Sequence, residues 1–247
     1  LRGIGVLVVE DSPSSRDWVV HCLTAAGAQV VATENGLRAL EVLQGADAVD
    51  KIDLLLTDMT LPYINGIELV QRIIEQQSSG ALAWRGRMLG LSAHIDDNLR
   101  AACLKLGMAQ LLEKPIRSVD LCRSVQDVVR ASACDVTPVP DQKAAGGADC
   151  THADPLAESM VNELVGQLGL DTARGFMLRA RSEAQGVLED MQQQGMHADT
   201  GRLLHAATGA CGLTGLKLLE RTLCELEILA KASKPISQTQ LGDLDTA

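Results

Sequence analysis

Three carboxylates in this 247-residue sequence stand at the ends of apolar runs. Ile4 to Val9 leads into Glu10 and Asp11, and Leu54 to Thr57 leads into Asp58. A continuous apolar run of this length suits a strand buried on both faces, and such a strand delivers its last residue to the rim of a parallel sheet. Three acids brought together there repel one another. Proton uptake or a hard cation relieves the repulsion, and Mg²⁺ fits because it takes oxygen ligands and joins carboxylates to phosphate. Two more runs place Ser92 and Lys114 at the same rim. A hydroxyl and a fixed ammonium around a carboxylate–metal centre are what a transferring phosphoryl group needs. Asp58 is then the nucleophile, forming an aspartyl phosphate. Taken singly, each residue has a plainer reading. Asp58 could end a strand or cap the turn before Pro62, Glu10 could be a solvated loop acid, Ser92 a strand-end cap and Lys114 a surface charge. Their order along the chain favours the joint reading.

The elements that position these residues follow from the pattern. Strands are expected over Ile4–Val9, Gln29–Thr33, Asp53–Asp58, Met88–Ser92 and Gln110–Leu112. Between them fall helical patterns: one begins at Ser12-Pro13 and stops at Gly27, another follows Asn35-Gly36, and a third follows Asn65-Gly66. Two more span Asp96–Leu106 and Val119–Arg130, and Ser78 to Arg87 reads as a loose connection. Five strands alternating with five helices predict an α/β flavodoxin-like, doubly wound parallel sheet of order 2-1-3-4-5. Residues 131–155, rich in Pro, Gly, Ala and Asp, predict a flexible linker. Beyond it the strand signals vanish. Helices are expected over Leu156–Leu168, Asp171–Gln194 with Asp171 as cap, Asp199–Leu213 and Leu216–Ala232. Four helices with short joints predict an antiparallel four-helix bundle over 156–233, followed by a polar tail over 234–247.

In that second half His205 has Gly209 one turn on, on the same helix face. A lone helical His is commonly structural. Gly costs about 1 kcal/mol in a helix interior relative to Ala, so the space beside His205 should serve something. A glycine beside an exposed imidazole lets a partner surface approach, and a neutral imidazole is a nucleophile near neutral pH. His21, His94, His152 and His197 lack such a context and read as loop or surface residues.

Charge and composition narrow the field. The formal net charge is −10, from 22 basic and 32 acidic residues. Residues 1–130 carry 13 basic and 16 acidic side chains, or −3; the remainder carries 9 and 16, or −7. Acidity argues against nucleic acid and anionic membrane as partners, and four aromatic residues in all give no base-stacking platform. Seven cysteines without a CxxC pair argue against zinc and a disulfide framework, and point to a reducing cytoplasm. No apolar run approaches the roughly 20 residues of a membrane span. The chain begins with Leu1 and is expected to be a piece of a longer protein.

V-L-V-V-E-D, L-L-T-D-M-T-L-P-Y-I-N-G, G-L-S-A-H and E-K-P-I, in this order and spacing, resemble the response-regulator receiver domain over roughly residues 3–130. The resemblance implies that Asp58 is the phosphoacceptor. It implies that Glu10, Asp11, Asp58 and the backbone carbonyl of Thr60 hold Mg²⁺, that Ser92 and Lys114 contact the phosphoryl oxygens, and that Pro115 follows a cis peptide bond. S-A-H-I-D-D is most similar to receivers built into hybrid sensor kinases. One departure stands out: switching receivers carry an aromatic residue three positions before the lysine, where this chain has Leu111. H-A-A-T-G-A-C-G-L-T-G-L, with L-C-E-L-E after it, resembles the histidine-phosphotransfer (HPt) domain over roughly residues 156–232. That resemblance makes His205 the phosphohistidine and matches Gly209 and Gly215 to family glycines. Thr208 departs from it, standing where a lysine is typical; Arg202, on the same face, could supply the charge.

Together these readings give the receiver–HPt end of a hybrid sensor histidine kinase, expected in the cytoplasm, with a parent chain that could be anchored in the inner membrane. The partners expected are a histidine kinase domain, in cis or in trans, and a downstream response regulator. Neither half shows a Walker A loop or a Gly-rich ATP-lid motif, so the phosphoryl group is expected from elsewhere. The first rival is a degenerate receiver and HPt scaffold that binds proteins without phosphotransfer. An aspartate-nucleophile phosphatase is a further rival, but it needs a second acid two residues after the nucleophile, where Thr60 stands.

Overall fold

The structure is a computed structural model and describes residues 1–131, 156–197 and 199–231. The chain divides into two compact units, Leu1–Gly146 and Gly147–Ala247. The linker expected over 131–155 lies outside the described residues except for Ala131, as do His152, residues 232–233 of the expected bundle and the tail expected over 234–247.

In the first unit, strands β1 (Gly5–Val9), β2 (Gln29–Thr33), β3 (Leu54–Asp58), β4 (Arg87–Ser92) and β5 (Gln110–Glu113) form one sheet. All neighbours run parallel, in the order β2-β1-β3-β4-β5. Every residue of β1 and β3 is buried, as their unbroken apolar runs require when helices cover both faces. Helices α1 (Pro13–Ala25), α2 (Gly36–Gln44), α3 (Ala48–Lys51), α4 (Gly66–Ser78), α5 (Asp97–Lys105) and α6 (Ser118–Arg130) connect the strands.

Four of these helices start on a side-chain cap. Ser12, Asn35, Asn65 and Asp96 accept hydrogen bonds from the amides of Ser15, Arg38, Glu68 and Leu99. Each such cap contributes about 1 kcal/mol. All four also fix where the chain leaves the carboxyl end of the sheet, which is the end that carries the site. Gly66, at the start of α4, admits no side chain: a Cβ there would come 2.6 Å from the carbonyl oxygen of Asp58.

The structure differs from the sequence expectation in two places in this unit. There are six helices, because the four residues Ala48–Lys51 form a single turn too short to show a period. The connection from Ser78 to Arg87 is pinned: Leu82 and Trp84 are buried in the core, and the Trp84 indole donates to the Ile52 carbonyl at 2.6 Å.

The second unit holds α7 (Glu158–Leu168), α8 (Leu170–Gln194), α9 (Thr200–Thr214) and α10 (Lys217–Lys231). Ala180, Leu188, Leu204, Cys211, Leu223 and Leu226 are among the residues of its core. Asp171 does not cap α8. Gly169 holds that position at φ 77°, and Asp171 lies in the first turn, where its charge favours the helix dipole. Gly215 ends α9 in the left-handed conformation, φ 79°. A Cβ there would also meet Val161 at 2.9 Å.

Candidate functional site

The register sets the acids side by side. β1 and β3 are paired with Val9 opposite Thr57, so Glu10 and Asp58 follow at neighbouring positions on the rim. Oxygens of Glu10, Asp11 and Asp58 all lie within 4.8 Å of one another. Lys114 follows β5, and its amide donates to the Ser92 carbonyl at 2.7 Å. From there its long side chain crosses the end of β4. Its ammonium donates to Asp58 Oδ2 and to Glu10 Oε2, each at 2.6 Å. All three groups are buried. The other Asp58 oxygen, Oδ1, accepts from the amide of Thr60 at 2.9 Å. The Lys114–Pro115 bond is cis.

A residue that sequence reasoning missed supports this rim. Arg16, in the first turns of α1, donates to the carbonyl oxygens of Glu10 and Asp11 at 2.8 and 3.3 Å. It holds the backbone that carries both acids. Its only sequence signal is its spacing of six and five residues from those acids.

The electrostatics follow from burial and crowding. Burial pushes the Glu10 carboxyl well above the ordinary carboxylate range; Lys114 opposes the shift, and Asp58 adds to it. Burial alone would lower the Lys114 ammonium, but the carboxylates of Asp58 and Glu10 outweigh it and raise it. The lysine therefore stays charged. Glu10 Oε1 is buried without a hydrogen-bond partner. Three converging carboxylates, one with an orphaned buried oxygen, fit a hard divalent cation with oxygen preference, and Mg²⁺ answers that description.

The structure places Ser92 at the end of β4, where its hydroxyl is engaged by the loop that follows. The hydroxyl donates to the His94 carbonyl at 2.6 Å and accepts from the His94 amide at 3.3 Å, tying the β4–α5 loop. Leu111 is buried within the core. A Cβ on Gly90 would fall 2.5 Å from Leu111 Cδ1, so the leucine fills the space over that glycine.

In the second unit His205 does not present the exposed imidazole expected of it. It is 7% exposed, and its Nδ1 lies 3.0 Å from Glu227 Oε1 on α10. Its Nε2 is buried with no hydrogen-bond partner. Gly209 is buried as well. α9 packs against α10 with His205 on the shared face, and the glutamate draws the ring inward. Glu227 was missed because it stands 22 residues away on another helix. Thr208 donates to the Leu204 carbonyl at 2.8 Å, so its hydroxyl is spent within its own helix. Arg202 lies 3.8 Å from Asp199 and forms part of an ion pair at the start of α9. Among the other histidines, His197 pairs with Asp190, His94 lies in a loop, and His21 is half-buried on α1.

A parallel 2-1-3-4-5 sheet with acids and a lysine at its carboxyl rim defines a flavodoxin-like α/β domain with an acidic cation pocket. Residues 6–126 match the response regulator receiver domain, and this part of the chain belongs to that family, which places it in two-component signalling. An uncharacterised 14.6 kDa protein of Leptolyngbya boryana is 31% identical over 126 residues, covering 51% of this chain and 90% of that protein. The sensor protein GacS of Pseudomonas syringae pv. syringae is 28% identical over 261 residues, covering all of this chain. The chain spans only 27% of the length of that sensor protein. Among solved structures, the receiver domain of a sensor histidine kinase of Pseudomonas aeruginosa PAO1, with a magnesium ion in its active-site cleft, is 26% identical. That alignment covers 52% of this chain and 99% of that one, with a TM-score of 0.45.

Proposed function

We propose that the chain is a phosphorelay segment of a hybrid sensor kinase, with Asp58 as phosphoacceptor and His205 as the next carrier. The observation that carries the reading is the buried contact of Lys114 with both Asp58 and Glu10 inside the three-acid cluster. In the transfer, an Asp58 carboxylate oxygen forms a bond to phosphorus as the bond from phosphorus to the donor's imidazole nitrogen breaks. That nitrogen keeps the electron pair and takes up a proton. Mg²⁺, held by Glu10, Asp11, Asp58 and the Thr60 carbonyl, supplies positive charge for the phosphoryl oxygens when bound. Lys114 supplies a second positive charge already fixed by burial. The Thr60 amide orients the nucleophile through Oδ1. Ser92 has to leave its His94 contacts before its hydroxyl can donate to a phosphoryl oxygen.

His205 receives the group in a second, analogous exchange and passes it to a separate response regulator. Glu227 accepts from Nδ1, which fixes the tautomer and leaves the lone pair on Nε2. Because Nε2 is buried, the ring must be uncovered before transfer. Acetyl phosphate and Mg²⁺ test the first step: mass spectrometry should find one phosphoryl group at Asp58, and none after Asp58→Asn. Labelling that survives that substitution elsewhere in the first unit sinks the assignment. A second reading, a helical unit that scaffolds protein contacts without carrying phosphate, is favoured by the buried Nε2 and the inward-turned Thr208. Failure of phosphoramidate to label His205 in the native chain would select it.

A further inference from the structure

The chain just past β1 departs from the habit of a strand. Along a strand successive side chains point to opposite faces of the sheet. Glu10 and Asp11 are successive residues, yet oxygens of both lie within 4.8 Å of each other and of Asp58. Pairing of β1 with both its neighbours stops at Val9, and the Glu10 amide makes one last bond, to the Thr33 carbonyl at 3.1 Å. The backbone therefore turns at the two acids. One nitrogen holds the turn. Arg16 Nη1 donates to the Glu10 carbonyl at 2.8 Å and to the Asp11 carbonyl at 3.3 Å, so both carbonyls face the same guanidinium. Arg16 is half-buried and its own backbone is fixed. Its amide donates to the Ser12 carbonyl at 2.9 Å, in the turn where the Ser12 hydroxyl accepts from the Ser15 amide. Cap, helix turn and guanidinium close a ring over residues 10–16.

We propose that Arg16 is a positioning residue that sets the affinity of the three-acid cluster for Mg²⁺ and its preference for Mg²⁺ over Ca²⁺. The proposal rests on the reading of that cluster as a cation site. Lys114 fixes one oxygen of Glu10, whereas the other, Oε1, is buried with no hydrogen-bond partner. The direction of that second oxygen is set by the backbone beneath it, which Arg16 holds. Mg²⁺ demands near-ideal octahedral geometry and Ca²⁺ accepts a wider range, so acids held at a preset spacing favour the smaller ion. Partners that orient metal ligands from behind are worth about 10–100-fold in affinity. The charge of the guanidinium works the other way. A positive group near a cation site repels the cation, so its removal would tighten binding if charge alone mattered. Positioning and charge thus predict opposite signs.

The test is calorimetric titration of the full chain, stripped with EDTA and desalted, with magnesium chloride and with calcium chloride. Arg16→Met should raise the magnesium Kd about tenfold or more and the calcium Kd by less, shifting the ratio of the two toward calcium. Arg16→Lys restores a cationic donor without the rigid fork and should recover part of the ratio. Arg38→Met removes the same charge from the cleft that Arg16 and Arg38 both line, and should leave both constants near their native values. Magnesium binding by Arg16→Met that equals or exceeds that of the native chain overturns the proposal. An equal loss for both ions overturns it as well, for that marks a loosened fold, and so does a loss of the same size in Arg38→Met. Should Arg16→Met fail to fold, Arg16→Lys decides: a ratio shifted toward calcium supports the proposal and an unchanged ratio overturns it. A native chain that binds neither ion overturns the cation site itself, an outcome distinct from native binding that Arg16→Met leaves unaltered.

Discussion

Lys114 is the residue on which the balance of the rim turns. Its ammonium is the shared partner of two buried carboxylates. Removing one member of a buried charge group leaves uncompensated charge, which costs about 3–5 kcal/mol. Lys114→Met in magnesium-free buffer should therefore lower stability by an amount in that range, measured by urea unfolding, and added Mg²⁺ should restore part of it. An unchanged unfolding midpoint would mean that the ammonium does not balance these acids. Glu10 gives a pH dependence whose sign is fixed. In the metal-free chain its carboxyl is raised from 4.5 to about 8, chiefly by burial. A raised acid stabilises the fold in its protonated form, so the contribution is complete at low pH. It is lost as pH climbs from the ordinary carboxyl value through the raised one. Glu10→Gln keeps a neutral group at all pH values and should flatten the decline in stability between about pH 5 and 8. Thermal melts across that range in EDTA would show it, and an unchanged slope would refute the assignment.

At the scale of elements, much was legible and the reasons are specific. β1 and β3 announced themselves because strands buried on both faces admit only apolar or small residues until the rim, where Glu10 and Asp58 stand. The helix starts at Ser12-Pro13, Asn35-Gly36, Asn65-Gly66 and Asp96 were legible because such signals are local, and the structure adds that Ser12, Asn35, Asn65 and Asp96 cap them through their side chains. What escaped was not local. A period shows which face of α9 carries His205 and does not show how deeply it is buried, since depth is set by Glu227 on α10. Arg16 escaped because it acts on backbone carbonyls and carries no pattern of its own. Leu111 was legible as a departure, and the structure supplies its meaning. It is buried over Gly90, with Met59 and Met108 also close to that glycine. Leu111→Phe should therefore overpack the β4–β5 surface and destabilise by about 1–3 kcal/mol, whereas Leu111→Met should cost less than about 1.5 kcal/mol. Urea unfolding of the pair checks this. A stable Phe variant would show that room for a switching ring exists after all.

At the scale of the whole molecule, the two units offer separate probes. Both tryptophans, Trp18 and Trp84, are buried in the first unit, and the sequence contains no others. Tryptophan fluorescence therefore reports the unfolding of the unit that carries the acid cluster. Among the described residues, Glu10, Asp11 and Asp58 are the one group of three or more that could hold a metal ion, so Mg²⁺ should bind there and stabilise that unit directly. A ligand that binds only the folded form adds about 2.7 kcal/mol at a hundredfold excess over its Kd. The fluorescence midpoint should climb with magnesium concentration along that logarithmic course. Asp58→Asn removes one charged ligand and should weaken the climb, while Asp11→Asn should weaken it without touching the lysine contacts. Calcium, which tolerates a wider range of geometry, should stabilise by the same route if the acids act as a plain charge cluster. A magnesium effect that exceeds the calcium effect at equal concentration would instead mark a pocket shaped for the smaller ion. No shift with either ion would remove the cation from the site, and with it the reason for gathering three carboxylates at one rim.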